Sequence, residues 1–131
     1  MTYYMATMLA TSFDEAIERT EAALKAEGFG ILTRVDVQKT LQTKIDVDFR
    51  PYTILGACNP KLAHEALQLE DKVGTMLPCN IVVQEQDDGK VEVAAINPVA
   101  SMEAIGNPQL KQAAAVVRDK LSKVIEALAG A

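Results

Sequence analysis

The chain has 131 residues, 49% apolar and 24% charged, with a formal net charge of -5. That length suffices for one domain with its own core, and the expectation is a single domain over residues 1–131. The acidic balance lacks the basic footprint of a nucleic-acid or anionic-membrane surface, and with 5% aromatic residues and no tryptophan there is no platform for stacking bases.

The opening MTYYMATMLATSFDEA has no basic leader and meets acidic residues early, so no secretory signal is expected. No apolar run reaches the length of a membrane span. A cytoplasmic location follows as the expectation, with Cys58 and Cys79 both reduced.

Thr2–Ala10 reads as a first strand. Ser12 with Glu15 three positions on forms a capping box, and Phe13, Ala16 or Ile17, Thr20 and Leu24 mark the buried face of the helix that follows. Gly28 ends that helix. Ile31–Val35 is a second strand, after which Asp36 caps a shorter helix with Val37, Leu41 and Ile45 inward. Residues 46–51 read as a solvated connection.

Tyr52–His64, YTILGACNPKLAH, is the stretch richest in chemistry. Tyr52–Cys58 reads as a strand, and Asn59-Pro60 as the start of a helix over Pro60–Glu70, with Leu62, Ala63, Ala66 and Leu67 on one face. Cys58 therefore falls just before a helix N-terminus, where unpaired N–H groups favour a thiolate. The plainer reading is a small cysteine closing a buried strand.

Val73–Met76 links to Leu77-Pro78-Cys79-Asn80, and Ile81–Glu85 continues as a strand. Asp87-Asp88-Gly89 marks a hairpin, with Val91–Ile96 returning. Asn97-Pro98 opens a helical turn that Gly106 stops, and Asn107-Pro108 opens the last helix. Three Asn-Pro helix starts favour plain capping over a special role for any one. Leu110, Ala114, Val117, Leu121, Val124 and Leu128 form a narrow apolar seam, read as a long helix across the sheet, with a subunit contact as the second reading.

GACNP at Gly56–Pro60 followed by LPCN at Leu77–Asn80 resembles the domain-of-unknown-function 302 family of small prokaryotic proteins. The resemblance runs from the first strand to about Leu128. It implies an α+β domain with helices packed on an antiparallel sheet, commonly found as a dimer, and it implies no reaction. The expected fold is therefore α+β: about five antiparallel strands with helices on one face and a long C-terminal helix. If the strands of Cys58 and Cys79 run antiparallel, both thiols fall at one end of the sheet, with Cys58 the more nucleophilic.

The chemistry that these residues allow is limited. Cys58, His64 and Cys79 are the only thiols and imidazole, but their spacing matches no recognised metal motif, so no metal and no cofactor are expected. There is no G-x-S-x-G elbow, P-loop or G-x-G-x-x-G. The first expectation is a homodimer that binds a small molecule or anion around Gly56, Cys58, Asn59, Cys79 and Asn80, using a helix start. A thiol enzyme or redox protein using Cys58 and Cys79, and a dimeric interaction module, are the alternatives.

Overall fold

The structure, a computed structural model, describes residues 2–130. Its strands are β1 (Tyr4–Leu9), β2 (Gly30–Asp36), β3 (Tyr52–Cys58), β4 (Cys79–Glu85) and β5 (Val91–Ile96). They form one sheet in the order β1-β5-β4-β3-β2, every neighbouring pair antiparallel. The helices are α1 (Phe13–Ala26), α2 (Val37–Ile45), α3 (Pro60–Leu69), α4 (Pro98–Ser101) and α5 (Pro108–Ala129). Short 3-10 segments cover Asp71–Met76 and Glu103–Ile105. This is the expected α+β architecture with its long C-terminal helix.

Register decides which side chains meet. Ala57 lies opposite Cys79, Leu55 opposite Ile81 and Thr53 opposite Val83, so these six share one face. Val91, Val93 and Ala95 continue that face on β5. Leu55, Ile81, Val83, Val91 and Val93 have no exposed surface at all. Each such burial stabilises the fold by about 1.5–3 kcal/mol relative to exposure. Helices α1 and α5 supply the other half of this core through Ala16, Leu24, Leu121, Val124 and Leu128.

The opposite face of the sheet is more open. Tyr4 and Met8 keep 41% and 42% of their surface, and Ile54, Val82, Ala94 and Ile96 are half-buried. Polar residues sit among them: Gln84 donates to Glu92 at 3.2 Å and accepts from Arg50 at 2.9 Å. The guanidinium of Arg50 lies 4.4 Å from the Phe49 ring centre. Arg50 in the expected solvated connection is thus engaged with its own chain.

Helix ends follow the capping chemistry of the sequence. The Ser12 hydroxyl accepts from the Glu15 N–H at 3.2 Å. After α1, Phe29 N–H bonds to Leu24 C=O and Gly28 N–H to Lys25 C=O, a Schellman motif with Gly28 at φ 85°. All three Asn-Pro pairs cap: Asn59 accepts from Leu62, Asn97 from Val99, and Asn107 from Gln109 and Leu110.

Helix α2 departs from expectation. None of its residues is buried; Val37 and Leu41 are half-buried and Ile45 is 62% exposed. Its nine residues follow an edge strand directly, so its apolar spacing meets little of the core. The link at Val73–Met76 also differs: it belongs to the 3-10 segment, and Val73 is fully buried.

The α5 seam is spent within the chain. Leu110, Ala114, Leu121, Val124 and Leu128 are buried, with Val117 half-buried beside them. Its C-terminal part packs on the sheet, while Leu110 and Ala114 join Ala66, Val73, Val99 and Met102 in a second, smaller core. The seam is the helix-across-the-sheet contact and lends no support to a subunit contact.

Candidate functional site

The two sequence motifs meet at one end of the sheet. Strand β3 runs out through Gly56-Ala57-Cys58 as β4 begins at Cys79-Asn80, with Gly56 opposite Asn80 and Ala57 opposite Cys79. The cysteines therefore share one end of the sheet, as antiparallel pairing requires. Both are free thiols, Cys58 half-buried and Cys79 buried.

Gly56 shows why a glycine stands there. A Cβ added to it would collide with the Thr33 hydroxyl and come within 2.7 Å of Pro78 Cγ. The strand pairing shifts register between Ile31 and Thr33, a bulge beside this contact. Gly56 thus lets the first motif close against the proline of the second. The Leu77-Pro78 peptide is cis.

Beneath this junction lies a cavity of about 40 Å³, where the main core adjoins the smaller one. Cys58, Asn59 and Cys79 line it, together with Leu62 and Ala66 of α3 and Leu77. Met102, Leu110, Ala114 and Val117 close the far side. No lysine, arginine, histidine or carboxylate is among the lining side chains. Of the five residues expected at the site, Cys58, Asn59 and Cys79 converge on the cavity. Gly56 and Asn80 do not line it: they occupy the neighbouring register position, and Asn80 borders a groove on the open face of the sheet instead.

The electrostatics are those of an apolar chamber. Burial pushes the Cys79 thiol up to about 11, and the nearby Cys58 adds to the shift. Asn59 holds the Leu62 N–H at 3.3 Å with its own side-chain oxygen, and Pro60 has no N–H to offer. The α3 start is therefore already partly satisfied. His64 is exposed on α3 and is not among the residues that line the cavity, so the imidazole does not join the two thiols there. Among the described residues no three His, Cys, Asp or Glu side chains gather as metal ligands.

Met102 was not foreseen at this site. It follows α4, a four-residue turn with no apolar period to assign it a direction. The legible part of the signal was the Asn97 cap and the Gly106 stop, which placed the turn but not its inward face.

These elements define an α+β domain whose antiparallel sheet closes, with α3 and α5, on a small chamber containing two thiols. The chain matches the family described as "Domain of unknown function DUF302" over residues 5–128 and belongs to it. It is similar to the crystal structure of an uncharacterized conserved DUF302 protein from Bacillus stearothermophilus. The two share 33% identity with a TM-score of 0.90, over 96% of this chain and 98% of that one. No curated protein matches the sequence. No helix among the described residues is long and apolar enough to cross a membrane.

Proposed function

We propose that this protein binds a small ligand without negative charge in the cavity beneath Cys58. The observation that carries the reading is the chamber itself: lined mainly by apolar side chains, it reaches both cysteines and has no cationic lining residue to receive an anion. An isolated charge placed there would be desolvated without a partner. The α3 start argues the same way, since Asn59 takes the Leu62 N–H and Pro60 has none, which leaves a bound carboxylate fewer of the first-turn donors it would use. About 40 Å³ accommodates only a few heavy atoms. A drug-sized ligand needs some 300–1,000 Å³. Titration with dimethyl sulfide and isopropanol, followed by amide NMR, tests this. Shifts are expected at Ala57, Cys58, Ala66 and Ala114, and their loss on Ala114→Leu, which fills the chamber. Perturbation elsewhere only would overturn the reading.

We infer further that two copies pair through the open face of the sheet. The supporting observation is its apolar content, with Tyr4, Met8 and Val35 more than 40% exposed around half-buried Ile54, Val82 and Ile96. Two-fold pairing of like faces is the commonest way to cover such a surface. Sedimentation equilibrium should give a dimer that Met8→Glu converts to monomer. A wild-type monomer at about 50 μM, well above the Kd of a stable pair, would refute it.

A further inference from the structure

Strand register builds a second recess, on the open face of the sheet. Gln84 lies opposite both Tyr52 and Glu92, which sets these three side chains in one row across the strands. Ile96 lies opposite Tyr4 in another row, four residues further along β5 and so about 13 Å away. Between the rows lie Val82 and Ala94, opposite each other and half-buried. The short Ala94 side chain leaves a groove of about 350 Å³ there, within the roughly 300–1,000 Å³ of small-molecule sites.

The lining of this groove is unlike that of the chamber beneath Cys58. The 3 tyrosines of the chain all border it, and Glu92 carries the one charge among its described lining residues. That carboxylate is held in place. Arg50 Nε donates to Gln84 Oε1 at 2.9 Å, so Gln84 turns its NH2 to Glu92 Oε1 at 3.2 Å, and Oε2 is the atom offered to a ligand. The Arg50 guanidinium itself lies over Phe49 and does not line the groove. A carboxylate among tyrosine rings, whose faces are negative, selects a cation. Calcium takes about six to eight oxygens, more than Glu92 and the Asn80 amide supply, so the cation is organic.

We propose that this groove binds a protonated arylalkylamine, its ammonium on Glu92 and its ring beside Tyr4 and Ile96. The distance between the two rows admits an ammonium, a short linker and a ring in line over Ala94 and Val82. At the ring end Tyr3 and Tyr4 already meet edge-on, with ring centres 4.9 Å apart, an arrangement that a third ring extends. The site is separate from the chamber and rests on its own observations. It shares the face through which two copies are inferred to pair, so amine and partner compete for that surface, and amine binding favours the single chain.

The test is a titration of dilute full-length protein with 2-phenylethylamine at pH 7, read by tyrosine emission. With no tryptophan in the chain, that emission reports on the groove alone. A saturable change is expected, with 2-phenylethanol, the uncharged counterpart, at least about tenfold weaker and phenylacetate without effect. Glu92→Gln keeps the shape and removes the charge: it should weaken the amine about tenfold and leave the alcohol unchanged. Ala94→Leu should abolish saturation by both. Amide NMR should place the amine at Val82, Gln84 and Ala94, apart from the chamber amides Ala57, Ala66 and Ala114. No saturable change up to about 10 mM amine, equal binding of amine and alcohol, full affinity in Glu92→Gln, or shifts confined to the chamber amides would each overturn the proposal. In sedimentation equilibrium the amine should lower the mass of a pair; binding that leaves the mass unchanged refutes pairing through this face and upholds the amine site.

Discussion

Gly56→Ala is the most informative single substitution in the protein. Its added methyl would meet two obstacles, the Thr33 hydroxyl and, at 2.7 Å, Pro78 Cγ. Carbon atoms rest at about 3.5–4.0 Å, so the proline must retreat by roughly 1 Å. Thr33 can turn only among few rotamers, because it is β-branched. The ring of Pro78 cannot rotate away, and Pro78 leads directly into β4, so its movement drags Cys79. Overpacking of this kind costs about 1–3 kcal/mol, and with two obstacles the upper half of that range is expected. Urea unfolding followed by circular dichroism measures it. Removing one obstacle separates the causes: Thr33→Ala in the Gly56→Ala background should recover about 1 kcal/mol, with the remainder due to Pro78. A loss under about 0.5 kcal/mol for Gly56→Ala, or no recovery with Thr33→Ala, would refute the close-packing account of the GACNP and LPCN motifs.

Leu121 is fully buried at the centre of α5, and Leu121→Ala should cost about 2–5 kcal/mol in the same urea assay. A cost below about 0.5 kcal/mol would mean that the seam does not face the sheet. In the reduced protein, iodoacetamide at pH 8 should modify half-buried Cys58 and spare Cys79, whose thiol is pushed up to about 11 by burial; equal rates read by mass spectrometry would contradict that. The sign of the stability effect follows. Between the ordinary value of 9.0 and about 11 the folded chain binds more protons than the unfolded one, so stability falls with rising pH. The contribution is full below about pH 9 and lost above about pH 11, amounting to about 2–3 kcal/mol. Cys79→Ala should flatten this slope, and a slope unchanged in Cys79→Ala would assign it to another group.

Much of the architecture was legible because local chemistry and tertiary packing agree. Ser12, Gly28 and the three Asn-Pro pairs mark helix ends by hydrogen bonds that need only neighbours in sequence. The Asp88-Gly89 turn marks its hairpin in the same way, with Gly89 at φ 81°. Helix α2 misled because Val37, Leu41 and Ile45 have helical spacing, while what they face depends on the edge position of β2, which no local signal specifies. The candidate site divided for a similar reason. Contiguity in GACNP grouped Gly56 with Cys58, and contiguity in LPCN grouped Cys79 with Asn80. Successive residues of β4 face opposite sides of the sheet, so Asn80 parts from Cys79, while Gly56 has no side chain to offer and packs against Thr33 and Pro78 instead. Met102 could not be joined to the thiols from sequence, because its neighbours there are brought in from α3 and α5.

The place of β1 in the sheet governs the order in which the chain can fold during synthesis. Strand β1 pairs with β5 alone, Leu9 meeting Val91, whereas β2 through β5 pair with neighbours that follow each other along the chain. About eighty residues must be made between one partner and the other, which at 5–20 residues per second takes roughly 4–16 s. Throughout that interval the apolar segment YMATML has no strand to bond with. The ribosome thus releases a sheet that can grow from β2 to β5 in step with translation and is sealed last by its first strand. An unpaired strand of this composition is a template for foreign pairing, so the interval before β5 emerges is when the nascent chain is most exposed to aggregation.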